Sequence, residues 1–211
     1  MTDVLKKIAS NLYEGNQNEV GALVQEALDA DMTPSEVLEG GLVAGMDEVG
    51  KDFKAGDLYV PEVLIAARAM KAGMTILRPL LVASGAKSAG KYIIATVKGD
   101  LHDIGKNLVR MMMEGAGFEV VDLGVDIEPK AFVDAVKEHK PNIIGLSALL
   151  TTTMGQMKST IEALEEAGVR DSVKVMIGGA PVTKKFAQEI GADAYAADAA
   201  TAVDMARELI G

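Results

Sequence analysis

The hydrophobic period changes near residue 90, and this change most constrains how the chain can fold. Up to about residue 81 the apolar residues recur every three or four positions. Val4, Leu5, Ile8 and Leu12 form one such stripe; Val20, Leu23, Val24, Ala27 and Leu28 form a second. That spacing is the signature of amphipathic helices. Thr33-Pro34-Ser35-Glu36 reads as the start of a third, because Thr33 suits the N-cap, Pro34 the first turn and Glu36 the return bond to the cap. Val37, Leu38, Leu42, Val43, Met46 and Val49 continue it, and Gly56 ends it. Pro61 opens a fourth helix, carried by Val63, Leu64, Ala67, Met70, Met74 and Leu77. Four such helices with short links predict a four-helix bundle over residues 1–81.

Residues 82–90, VASGAKSAG, are small and flexible in composition and are assigned as a linker and hinge. Beyond them, over residues 91–211, short β-rich runs alternate with helical segments. The runs are residues 92–97, 118–123, 142–147, 173–177 and 192–196, with helices starting near Gly105, Glu128, Thr153, Thr183 and Asp198. This alternation predicts a doubly wound, five-stranded parallel sheet of the Rossmann-like or flavodoxin-like kind. Its ligand edge is where the strands end. The Met111–Met113 run is read as helix packing.

Composition narrows the function. The net charge of −10 argues against nucleic acid and anionic membranes, both of which require a basic face. With no cysteine there is no disulfide, thiolate metal site or cysteine nucleophile. No stretch approaches the roughly 20 apolar residues that span a bilayer, and the N-terminus lacks a secretory pattern. A cytoplasmic location is expected.

The chemistry concentrates in Lys98-Gly99-Asp100-Leu101-His102-Asp103-Ile104-Gly105-Lys106-Asn107, between the first predicted strand of the second half and its first helix. His102 is one of two histidines; the other, His139, stands between Glu138 and Lys140 and reads as a surface residue. A metal-bound imidazole needs its second nitrogen held, often by a carboxylate. Asp100 is placed to do this, and Gly105 lets a bulky flat ligand approach the backbone. By spacing alone, a solvent-facing histidine remains an alternative.

Asp100-x-His102-x-x-Gly105 resembles the cobalamin-binding signature of B12-dependent methyltransferases and mutases. Ser147-Ala148-Leu149 with Thr151, and Gly178-Gly179, stand in the order of that signature at the ends of the third and fourth strands. The first half, with Asp47-Glu48-Val49-Gly50 and Tyr59-Val60-Pro61-Glu62-Val63-Leu64, is similar to the helical cap of small two-domain corrinoid proteins. These serve methylamine, methanol, betaine and methoxyaromatic methyltransferases.

The resemblance implies cobalamin or a related corrinoid bound base-off, with His102 as the lower axial ligand of cobalt. Asp100 would be its hydrogen-bond partner and Ser147 would extend that chain, with Asp103, Ile104 and Gly105 beside it. The displaced nucleotide tail would lie among Ser147, Leu149, Thr151, Gly178 and Gly179, with Tyr195 and Asp198 as weaker members. Tyr59, Val60, Val63 and Leu64 would form a lid over the methyl-bearing face. The implied partners are a substrate-specific methyltransferase, an acceptor methyltransferase of the tetrahydrofolate or coenzyme M type, and a reductive activation protein. Alternatives are the B12-binding subunit of an adenosylcobalamin mutase and a B12-dependent regulator. The helical cap favours the methyl carrier over the first, and the acidic charge disfavours the second.

Overall fold

The computed structural model describes residues 3–85 and 88–211. They form two compact units, one running to Ala89 and the other beginning at Gly90, with Glu114–Gly117 grouped with the first.

The helical unit contains α1 (Asp3–Tyr13), α2 (Gln17–Asp29), α3 (Pro34–Val37), α4 (Ala44–Ala55) and α5 (Val60–Ser84). A π-helical stretch, Leu38–Val43, joins α3 to α4 without a break, so the chain makes four rods. The Thr33 capping box forms. The Thr33 hydroxyl accepts the Glu36 amide at 3.3 Å, and the Thr33 amide donates to the Glu36 carboxylate at 2.9 Å. Ile8, Leu12, Val20, Val24, Val37, Leu42, Val49 and Leu77 are fully buried and make the core. Gly45 lets α1 and α4 touch, since a Cβ there would sit 2.9 Å from the Ala9 carbonyl oxygen. Gly56, at φ 82°, caps α4 in the left-handed conformation.

α5 runs past Leu81 to Ser84, where Gly85 caps it at φ 67°. The assigned linker therefore begins as helix: Val82, Ala83 and Ser84 are compatible with it, and only a left-handed glycine stops it. Residues 86–87 of that segment lie outside the described residues.

The second unit is a five-stranded parallel sheet of order β2-β1-β3-β4-β5. Its strands are β1 (Lys91–Val97), β2 (Glu119–Ile127), β3 (Ile143–Ser147), β4 (Lys174–Gly178) and β5 (Ala194–Ala196). The helices between and after them are α6 (Ile104–Gly115), α7 (Pro129–His139), α8 (Gly155–Glu166), α9 (Lys184–Glu189) and α10 (Ala199–Ile210). One sheet face carries Ile93, Ala95, Val97, Ile144, Leu146, Val175 and Ile177 into a core with Phe132, Met157, Ile161 and Leu164. Within α6, Met112 and Met113 are buried, in keeping with packing. The strand order reverses between β1 and β3, which makes the loops after these two strands the expected ligand position.

β2 continues to Ile127, four residues past its predicted end. It does so by bulging: its register with β1 shifts, Gly124 takes φ 96° and Asp126 takes φ 57°. No helix among the described residues is long and apolar enough to cross a membrane.

Candidate cofactor site

Residues 98–103 leave β1 in a tight turn. Gly99 supplies the positive φ of 77°, and the Asp100 amide donates back to the Val97 carbonyl at 3.2 Å. The turn drives the Asp100 side chain into the protein, where it is fully buried. One carboxylate oxygen accepts the His102 amide at 3.0 Å and lies 2.7 Å from His102 Nδ1. The other accepts the amides of Leu149 and Leu150 at 2.8 and 3.2 Å and the Thr153 hydroxyl at 2.7 Å. Burial raises the pKa of this carboxyl, but the donors from His102, Thr153 and Leu149 outweigh it and hold the group well below the usual carboxylate range.

An ionised carboxylate has no proton to give, so His102 Nδ1–H is the donor in the pair. In the neutral imidazole this leaves the lone pair on Nε2, which has no hydrogen bond among the described residues. The imidazole is half exposed, whereas the group that orients it is fully buried. The His102 carbonyl accepts the buried Thr96 hydroxyl at 2.8 Å, which fixes the loop to β1.

The surroundings are apolar and open. Leu101 and Ile104 are 71% and 78% exposed, and Leu149 and Leu150 are also exposed. A Cβ at Gly105 would meet nothing within 4 Å, so the fold does not require glycine there and the space faces outward. Strand register sets Thr96, Ser147, Gly178 and Ala196 in one row of small residues across the ends of β1, β3, β4 and β5. Among the described residues no group of three or more His, Cys, Asp or Glu side chains is placed to hold a metal. A metal at His102 must therefore bring its other ligands with it, as a metal in a flat apolar macrocycle does. The residues present fit a corrinoid.

The structure brings together Asp100, His102 and the amide of Leu149, but corrects the expected hydroxyl. Thr153, at the turn before α8, bonds Asp100; Ser147 does not. Ser147 belongs to β3, with its side chain in the row of small residues, and the carboxylate is met only after the chain turns. Thr151 lies in that turn and is exposed. Asp103 faces α6, accepting the Asn107 side-chain amide at 2.9 Å. Gly179, at φ 134°, is glycine for an internal reason: a Cβ would collide with the Ala148 carbonyl oxygen.

Both weaker tail candidates have contacts of their own within this unit. Tyr195 pairs with Ile177, so it packs on the opposite sheet face from Ser147 and Gly178. Asp198 caps α10, accepting the Thr201 amide at 2.7 Å. Of the four lid candidates in the helical unit, Val63 is fully buried in the core, Val60 and Leu64 are half-buried, and Tyr59 is 69% exposed.

Comparison with known proteins finds B12-binding and corrinoid relatives along the chain. A family model described as a B12 binding domain matches residues 90–204, and a second with the same description matches residues 4–78. The dimethylamine corrinoid protein of Methanosarcina barkeri is 46% identical over 210 residues, 99% of this chain and 98% of that protein. Trimethylamine corrinoid protein 2 of Methanosarcina mazei is 46% identical, covering 95% of this chain and 93% of its own. Among solved structures, a cobalamin-binding protein from Desulfitobacterium hafniense matches with a TM-score of 0.83 and 34% identity over the whole of both chains. The methanol:cobalamin methyltransferase complex MtaBC from Methanosarcina barkeri matches at 0.88 with 31% identity, over 99% of this chain and 80% of that one.

Proposed function

The chain belongs to the B12-binding corrinoid protein family, and from that premise we propose that it carries a methyl group on a corrinoid between two methyltransferases. One delivers the methyl from a small substrate. The other passes it to an acceptor of the tetrahydrofolate or coenzyme M type, and a reductive activation protein restores the cofactor when it is oxidised. The observation that carries the reading is His102, a half-exposed imidazole with Nδ1 tied to a buried carboxylate and Nε2 free.

When bound, the corrinoid supplies a cobalt centre that accepts and releases the methyl group. The chain's own residues hold and tune it. His102 would hold the cobalt through Nε2, in place of the cofactor's own base. Asp100 fixes the ring's tautomer and raises its basicity, and the Leu149, Leu150 and Thr153 donors keep that carboxylate charged. Leu101, Ile104, Leu149 and Leu150 give the ring an apolar bed, and Gly105 leaves room for it. Ser147, Gly178 and Gly179, with Leu149 and Thr151, would hold the displaced tail.

The test is reconstitution. Purified apo-protein offered hydroxocobalamin under reducing conditions is expected to retain one corrinoid per chain through gel filtration and to become coloured. A chain that stays colourless is not a corrinoid carrier.

A further inference from the structure

The Asp100 carboxylate is gripped from the β3 side of the sheet. The backbone of the same loop is gripped from the other side by one residue of β2, and neither the proposed function nor the motif accounts for it. Asp126 accepts the Gly99 amide on its carboxylate at 2.6 Å, and its own amide donates to the Asp100 carbonyl at 3.0 Å. To reach both, Asp126 takes φ 57°, a left-handed conformation that aspartate adopts only at a cost. The hook that carries it is built for the purpose. Gly124 turns the strand at φ 96°, its amide donating to Asp122 at 2.9 Å. Asp122 is itself anchored by Lys106 of α6, a lysine only 3% exposed. Asp126 is solvent-exposed and contributes nothing to the core. Its two bonds both end on residues within three positions of His102.

We infer that Asp126 is a positioning residue for His102. By pinning the Gly99 amide and the Asp100 carbonyl it sets the height of the loop, and so the position from which Nε2 meets cobalt. This rests on the reading of His102 as the axial ligand. Lys98 and Glu128 form a second bridge between the same loop and the end of β2 at 2.9 Å, but both are exposed, so the pair adds little.

Three variants separate the roles of the residue. Asp126→Asn keeps an acceptor oxygen and tolerates the left-handed backbone. Asp126→Gly relieves the backbone but loses the acceptor. Asp126→Ala loses the acceptor and keeps the strain. In the apo-protein, amide exchange at Gly99 is expected to quicken about tenfold in the Gly and Ala variants and to stay within about twofold of wild type in Asn, with melting temperatures little changed because the site is exposed. Affinity for hydroxocobalamin is expected to follow the same order, about tenfold weaker in Ala. The Co(II) resonance spectrum of the reconstituted Ala variant is expected to show a reduced fraction of imidazole-ligated cobalt. Wild-type Gly99 exchange and wild-type affinity in the Ala variant would overturn the inference. If wild-type protein itself shows no imidazole on cobalt, the reading of His102 fails, while the exchange measurement still decides whether Asp126 clasps the loop.

Discussion

Replacing Asp100 by alanine is expected to destabilise the apo-protein by on the order of 3 kcal/mol, because it strands buried donors rather than removing one contact. The amides of Leu149 and Leu150 and the hydroxyl of Thr153 all end on this carboxylate, which is fully buried. Chemical denaturation measures the loss. The pH dependence identifies its cause. The folded-state pKa of Asp100 is depressed, so its charge stabilises the fold fully above the unfolded carboxyl value and progressively less as pH falls toward the folded one. Asp100→Asn is therefore expected to be less stable than wild type at neutral pH, with the gap closing below about pH 4. A gap that does not depend on pH would mean that the carboxylate is not held ionised by its neighbours.

His102→Ala is expected to behave in the opposite way. The imidazole is half exposed and rests on Asp100 rather than supporting it, so stability should change by only about 0.5 kcal/mol. Corrinoid affinity should fall by about 100-fold or more, since removing a metal ligand costs at least as much as disturbing the group that orients it. Titration of each apo-protein with hydroxocobalamin reads this. Thr153→Ala should lie between the two variants, with a smaller loss of stability than Asp100→Ala and a weaker hold on the cofactor than wild type. If His102→Ala bound the corrinoid as tightly as wild type, cobalt would not be held by this residue.

Much of the architecture was legible because the first half keeps one hydrophobic period throughout and the second alternates β-rich runs with helical segments. The helical stripes, the Thr33 box and the Gly56 cap all rest on local chemistry, and all appear in the structure. The π-helical Leu38–Val43 was not legible, because a stretch with Gly40 and Gly41 keeps an apolar spacing that an ordinary helix also satisfies. The end of β2 was missed for a related reason. The β-rich run stops at residue 123, whereas the positive φ of Gly124 makes a bulge that carries the strand on to Ile127.

In the site, spacing and loop position only made Asp100 and His102 candidates, with a solvent-facing histidine left open; the resemblance to the cobalamin-binding signature singled them out, and the structure joins the two side chains. Thr153 was not. Thr151, Thr152 and Thr153 follow one another, and nothing in the sequence says which hydroxyl turns inward; only the chain's path into α8 buries the third. Ser147 looked right because it ends a strand, but strand alternation aims it at the row shared with Thr96 and Gly178. Tyr195 failed in the same way, since its register with Ile177 sends it to the far face. Asp126 carries no motif at all. It is 26 positions from Asp100 in sequence, and only the bulge in β2 brings the two backbones within hydrogen-bond distance.

Whether His102 holds cobalt is decided by paramagnetic resonance of the reconstituted Co(II) protein, prepared with ordinary and with nitrogen-15 histidine. If His102 Nε2 sits on the metal, the splitting of the axial nitrogen changes from a triplet to a doublet on labelling, and His102→Ala abolishes that change. A splitting indifferent to the label would mean that the cofactor keeps its own base on cobalt, and that the buried Asp100 and its imidazole do not serve as the axial ligand pair.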